Sequence, residues 1–412
     1  MSVIAHVSSI PTWTTPPQSA DEVVARAQAL RPFISEMGIE VDIHGDDPTE
    51  AMQMLGDAGL HAINVPTEFG GLWEGGQFAM WDRAVESCLE VFAADGSTGQ
   101  CWSTSGIMAR EIFSAPLPTS TKQVLAHELL HEARRIVASN AETGGPGPVT
   151  GRRVEGGIVV DGVKTFNTNS GGGGRDFANV GILMDDAAGN PVRHHALVRL
   201  DAKGVSLHGN WDNMGQRGTV SQTITYTDVF VADGWYYQAE PTDLLVLDLI
   251  LSGHAMLLQG IGEGAYDAMI DYLRTLNRPS MPMFATAAED VLIQRQVGEL
   301  SSLLSASRAF LMQACRRLAT ADASTDLQAI FVEMLKVKVV CTNAALEVSS
   351  RLHDLTGARS TSNIYRLDRF WRNARTFASH DSIDAKNALA GAYELTGAIP
   401  DASLYVPALR KV

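Results

Sequence analysis

Apolar residues recur three and four positions apart in DEVVARAQALRPFISEMGIE (21–40) and in EAMQMLGDAGL (50–60), the spacing of helices with one buried face. Pro66 and the Gly70–Gly71 pair interrupt this pattern with a loop, and FAMWDRAVESCLEVFAADGS (78–97) resumes it. Near Arg135 the period changes. RRIVASNAE, RRVEGGIVVDGVKTFNTNS, NVGILM, HHALVRL and TVSQTITYTDVFV are short, β-branched and alternating, separated by Gly, Asn and Asp turns, which predicts a β-domain. From Asp243 three long helical runs follow, at 243–276, 287–319 and 327–352, whose length and few breakers predict an antiparallel bundle. The expected fold class is α+β, divided as a helical domain (1–134), a β-domain (135–242) and a helical bundle (243–412).

At 412 residues the chain holds two to three domains' worth of core, and 45% apolar with 19% charged residues is globular composition. The formal net charge of −15 repels phosphate backbones and anionic membranes, so no nucleic-acid or membrane partner is expected. Cys88, Cys101, Cys315 and Cys341 are far apart and form no CxxC pair, which predicts reduced thiols in a cytoplasm and no metal site. The first residues lack the basic-then-apolar pattern of a signal peptide. Asp248 and His254 interrupt the most apolar run, Leu244–Ile261, against a membrane span.

Several motifs admit chemistry. LQGIGEGA (258–265) matches a dinucleotide fingerprint, but its helical flanks favour glycines that let two helices approach. NSGGGGRD (169–176) reads equally as an anion-binding loop or a connection between strands. Asn167, Thr168, Asn169 and Ser170 place four polar side chains at a strand end, where they are expected to face water or a polar ligand. His194 and His195 read as solvated surface residues on opposite faces of a strand. Arg369, Arg372 and Arg375 share a helical face, followed by His380 and Asp381. That set serves either salt bridges to the acidic bulk of the chain or a phosphate and a proton donor.

Together these segments resemble the acyl-CoA dehydrogenase superfamily over nearly the whole chain. The likeness rests on GLHAINVPTEFGG (59–71), GVKTFNTNSGGGGRDFANVGIL (162–183), MGQRGTVSQTITYTDVFV (214–231) and the placement of Arg278. At the C-terminus, TGARSTS, LDRFWRNAR and the His380–Asp381 pair resemble the two-component flavin-dependent monooxygenases, the dibenzothiophene monooxygenases and their relatives. This resemblance implies an N-terminal helical domain, a middle β-barrel or sandwich and a C-terminal four-helix bundle. It implies reduced FMN, or FAD, supplied by a separate reductase, and O₂ activation through a flavin C4a-(hydro)peroxide on a small hydrophobic aromatic, heterocyclic, sulfur- or nitrogen-containing substrate. A homotetramer is implied as well.

Carried over by position, Arg278 and Arg359 would grip the flavin phosphate, Thr168 would bond the ring edge, and Asn140 would lie near its reactive face. His380 would be the active-site histidine, with Asp381 orienting its ring. Phe377 departs from the pattern, standing where the sulfur-oxidising relatives commonly carry a second histidine. The alternatives are an acyl-CoA dehydrogenase with tightly bound FAD, using Asp381 or Glu394 as its base, and a non-catalytic oligomeric scaffold of the same fold.

Overall fold

A computed structural model describes residues 9–141, 147–172, 174–239, 244–276, 278–322 and 324–400, with backbone alone for 244–248. Five helices come first: α1 (Ala20–His44), α2 (Thr49–Asp57), α3 (Trp81–Ala94), α4 (Gly96–Ser114) and α5 (Thr119–His131). Their ends follow local chemistry. The Ser19 hydroxyl accepts from the Glu22 N–H at the start of α1. Asp95, extended, ends α3 and caps α4 by accepting from the Thr98 N–H at 2.7 Å.

Eight strands follow: β1 (Ile136–Ser139), β2 (Thr150–Val154), β3 (Gly157–Lys164), β4 (Phe177–Asp185), β5 (Pro191–Arg199), β6 (Val205–Leu207), β7 (Ile224–Ala232) and β8 (Tyr236–Gln238). They form one mixed sheet in the order β6-β7-β3-β2-β4-β5-β8, with β1 parallel to β4. Five further α-helices follow among the described residues: α6 (Leu244–Thr275), α7 (Val291–Ala319), α8 (Leu327–Thr356), α9 (Asp368–Ala378) and α10 (Ile383–Thr396). The α+β expectation holds. No helix among the described residues is long and apolar enough to cross a membrane.

One apolar core runs from α1 and α3 through α6, α7 and α8, and a second lies between the inner sheet faces. The glycines of LQGIGEGA serve helix contact. A Cβ at Gly264 would stand 2.2 Å from the Ala93 carbonyl oxygen of α3, and one at Gly260 would stand 2.4 Å from the Phe92 Cβ. Gly264→Ala must therefore push two helices apart. The expected cost is about 1–3 kcal/mol, read as a lowered urea midpoint at unchanged slope.

Two expectations are corrected. His194 and His195 are both buried, not solvated, because both faces of β5 are covered. His195 faces the helical side, stacked on Tyr237 at 5.4 Å with its Nδ1 3.3 Å from Glu111, whereas the Nδ1 of His194 bonds the Val192 carbonyl of its own strand. The polar run at 167–170 is likewise turned inward. Asn167, Asn169 and Ser170 are fully buried, and Thr168 alone is partly open.

Candidate active site

Helix α9 carries the arginine row, and acidic residues meet it. Arg372 forms a two-pronged pair with the buried Asp42 (2.9 and 2.6 Å) and bonds Asp368 at 2.7 Å. Arg369 is buried, and Arg375 bonds Ser379. Arg372 fastens α9 to α1, so the salt-bridge alternative describes this arginine. The glycine loop is similarly committed: a Cβ at Gly171 or Gly172 would strike Asp47 or the Asp176–Arg135 pair, and carboxylates repel an anion. Gly173 lies outside the described residues.

Where α9 ends, the chain turns into α10 through His380 and Asp381. Ser382 caps α10 by accepting from the Ala385 N–H. This turn meets α6 and α8 and gathers a cluster of charge. Asp381 Oδ2 lies 2.7 Å from Lys386 Nζ and 3.7 Å from His254 Nδ1, and its Oδ1 lies 3.8 Å from Lys338 Nζ. The His254 ring meets His380 at 4.6 Å and Phe377 at 5.1 Å, both edge-on, while His380 stacks on Phe377 at 5.4 Å. The Lys338 ammonium stands 4.8 Å over the Phe377 ring. One ring nitrogen of each histidine and one Asp381 oxygen fall within 4.8 Å of one another.

The electrostatics of the cluster follow from burial. It lowers the His254 pKa to about 3, with the Lys338 ammonium adding to the effect. It brings Lys338 down to about 8 against the pull of Asp381. Burial also lowers His380, opposed by Asp381 and assisted by Lys338 and Lys386, although this ring keeps an exposed edge at the rim. Asp381 feels burial in the opposite sense, but His254, Lys338 and Lys386 outweigh it and hold the carboxyl well below its usual range. His254 Nδ1, Lys338 Nζ and Asp381 Oδ1 are nevertheless buried without a hydrogen-bond partner. These atoms face one another at ion-pair rather than hydrogen-bond distance, so charge and not hydrogen bonding holds the cluster together.

A second polar region joins this one. The loops 165–170 and 215–222 hold Phe166, Asn169, Gln216 and Val220 at positive φ, which for the β-branched Val220 (φ 40°) is strained. The loops bind each other: the Asn169 N–H donates to the Thr219 carbonyl, and the Ser170 hydroxyl to the Val220 carbonyl. Thr168 bonds Ser221 at 3.0 Å and accepts from Gln100 at 3.4 Å. Gln100 in turn accepts from Gln216 at 2.7 Å, and the Gln216 backbone N–H donates to Asn373 of α9. Thr168 is thus linked side chain by side chain to the helix that ends at His380. Asn140 closes β1 with a buried, unpartnered Oδ1 against Gly181.

Of the six residues expected from the sequence, His380 and Asp381 adjoin, and Thr168 connects to them through α9. Arg278 and Arg359 stand elsewhere. Both are exposed, Arg278 beyond the C-terminal end of α6 and Arg359 beyond the end of α8, within electrostatic reach of Tyr272. His254 belongs to the first half of α6, and at ~1.5 Å per residue the helix carries its far end about 30 Å away. His254, Lys338 and Lys386 escape the sequence reading. Their one visible signal is the polarity of His254 and Lys338 within otherwise apolar helical runs.

Comparison with known proteins fits this arrangement. The family model "Acyl-CoA dehydrogenase, C-terminal domain" matches residues 252–385, the span that holds His254, Lys338, His380 and Asp381. Dibenzothiophene monooxygenase from Rhodococcus erythropolis is 31% identical over 423 aligned positions, covering 93% of this chain and 96% of that protein. This chain belongs to the flavin-dependent monooxygenase branch of the acyl-CoA dehydrogenase superfamily. A probable FMNH2-dependent monooxygenase from Pseudomonas putida is 27% identical, covering 95% of this chain and 98% of that one. The monooxygenase also shares its fold with two crystal structures. Dibenzothiophene monooxygenase from a Paenibacillus species aligns with a TM-score of 0.82 at 24% identity, over 93% of this chain and 100% of that one. Methanesulfinate monooxygenase from Pseudomonas fluorescens aligns at 0.81 and 23%, over 93% and 99%. Within this monooxygenase Glu394, the other carboxylate considered as a dehydrogenase base, is exposed and paired with Lys336 at the surface.

Proposed function

We propose that the protein is the oxygenase component of a two-component system, taking reduced FMN from a separate reductase and inserting one atom of O₂ into a small hydrophobic aromatic, heterocyclic, sulfur- or nitrogen-containing substrate. The observation that carries this reading is the state of Asp381. Lys386 and Lys338 hold the carboxylate that stands at the dehydrogenase base position in ion pairs, which weakens it as a base for an acyl α-proton, while His380 stands beside it. FMN rather than FAD is supported by the P. putida relative, whose name specifies FMNH2.

The residues present suit a flavin. Thr168 is half-open beside the buried Asn167, Asn169 and Ser170, and the buried Asn140 Oδ1 lacks a partner. Reduced FMN would supply the electrons that activate O₂. The rest falls to the chain. Thr168 would hold the ring edge, with Gln100 and Ser221 fixing its hydroxyl. Asn140 would offer its amide near the reacting face. His380 would hold a proton at a ring nitrogen and release it as the second oxygen atom leaves as water. Phe377, buried against both histidines, would keep bulk water from that exchange.

Arg278 and Arg359, far from His380 in their own chain, would grip the phosphate of a flavin seated in a neighbouring subunit. A homotetramer follows from that reading, and the length of the bundle helices supports it. We further infer working units of 1–134, 135–242 and 243–412, supported by the change from helix to strand at Ile136 and back at Leu244. A cytoplasmic location is supported by four buried, free cysteines. The test is Arg278→Ala. It is expected to weaken reduced-FMN binding at least tenfold by anaerobic titration while leaving the circular dichroism spectrum unchanged. Unaltered binding would remove Arg278 from the cofactor site.

A further inference from the structure

Phe377 stacks on His380 at 5.4 Å, and a phenyl ring can neither accept nor donate the hydrogen bond of an imidazole. Another imidazole stands against it. His254 comes from α6, more than a hundred residues earlier in the chain. Its ring meets the edge of Phe377 at 5.1 Å and of His380 at 4.6 Å. The ring is partly buried, but its Nδ1 is fully so, 3.7 Å from Asp381 Oδ2 and without a hydrogen-bond partner. An ordinary core position at that point of an apolar helix would hold Leu or Ile, since burying an unpaired imidazole nitrogen is costly.

Resting on the monooxygenase reading above, we propose that His254 is the second imidazole of this active site, delivered by α6 to the space that Phe377 leaves apolar, with Asp381 fixing which ring nitrogen carries the hydrogen. The Asp381 carboxylate favours an N–H at the Nδ1 that faces it, which leaves the lone pair on Nε2. The groups that face His254 are Lys338 on α8, with Cys341 about a turn further along that helix, and His380 and Asp381 on the connecting turn, where Lys386 of α10 pairs with Asp381. Two ammonium groups against one carboxylate discourage a third positive charge, so His254 stays a neutral hydrogen-bonding ring. His380, at the rim, is the group that exchanges protons with solvent. His254 acts by positioning and by restraining proton loss from the pocket.

The test is relocation of the ring. Full-length wild type, His254→Phe and the double variant His254→Phe/Phe377→His would be loaded anaerobically with photoreduced FMN and mixed with oxygenated buffer, with H₂O₂ release timed. His254→Phe is expected to bind reduced FMN within twofold of wild type and to release H₂O₂ at least tenfold faster. The double variant is expected to return to within threefold of wild type, a rescue that mere filling of space cannot produce. His254→Gln, smaller and polar, is expected to behave as His254→Phe does and replaces it should that variant fold poorly. Release at the wild-type rate from the single variant, or no recovery in the double, overturns the proposal.

A second readout needs no flavin. Nitrogen-15 spectra of the histidine rings are expected to show His254 as the neutral Nδ1–H tautomer down to about pH 4, with that preference lost in Asp381→Asn. A neutral Nε2–H ring in the wild type contradicts the assignment. Should wild type release H₂O₂ as fast as free reduced FMN, the functional reading fails and the tautomer measurement alone decides the role of His254.

Discussion

His380→Ala is expected to retain reduced FMN and lose oxygenation. The ring sits on Phe377 at the rim of the cluster, its side chain outside the hydrogen bonds that hold the turn, whereas its backbone N–H bonds the Phe377 carbonyl whatever the side chain. Removing it should therefore leave the fold intact. What is lost is a proton donor whose pKa lies below that of free imidazole, so it is neutral at pH 7 and protonated only transiently. General acid–base groups contribute roughly 10²–10⁴-fold. The expected result is at least a 100-fold fall in product formed per reduced FMN oxidised, with H₂O₂ rising to match and FMN affinity within twofold. Unchanged product yield would remove His380 from the reaction.

Asp381→Asn is expected to be the most destabilising single change in the site. The carboxylate compensates Lys386 at 2.7 Å and the fully buried Lys338 at 3.8 Å, and removing it strands a buried ammonium. Breaking a buried pair from one side costs about 3–5 kcal/mol. Guanidinium unfolding should show that loss. The double variant Asp381→Asn/Lys338→Met should recover a large part of it, because the stranded charge goes too. Equal stability of single and double variants would show that Lys338 is compensated elsewhere.

The same groups set an acid limit on the wild type. His254 is held neutral in the fold, with a pKa of about 3 against about 6.5 for a free imidazole, so below about pH 6.5 the unfolded chain takes up a proton that the native chain refuses. His380 acts in the same direction. Asp381 is depressed in the fold, so its contribution is present above the ordinary carboxylate pKa and lost as pH falls further. Stability should therefore decline from pH 6.5 downward, with Asp381→Asn lacking the lowest part of the decline.

What could be read from the sequence was what is written locally. The switch from a period of three and four to alternation falls close to Ile136, where the first strand begins. The glycines of 258–265 are helix contacts because helix flanks them on both sides. The His380–Asp381 pair was visible as a motif. Its partners were not, because periodicity identifies a buried face and never says which residue meets it. His254 looked like an interruption of an apolar run, and Lys338 like one of two lysines in LKVKVV. His194, His195 and the polar run at 167–170 were misread for a related reason. Alternation predicts which side of a strand a residue takes, but whether that side is covered depends on helices distant in sequence.

The most direct test of the whole account is rapid mixing. Flavin-free protein, incubated anaerobically with photoreduced FMN, would be mixed with oxygenated buffer and followed by absorbance. The account predicts a transient distinct from reduced and oxidised FMN that outlives the reaction of free reduced FMN, decaying faster in His380→Ala. Protein that purifies yellow with tightly bound oxidised FAD, is bleached by an acyl-CoA and shows no such transient would contradict it.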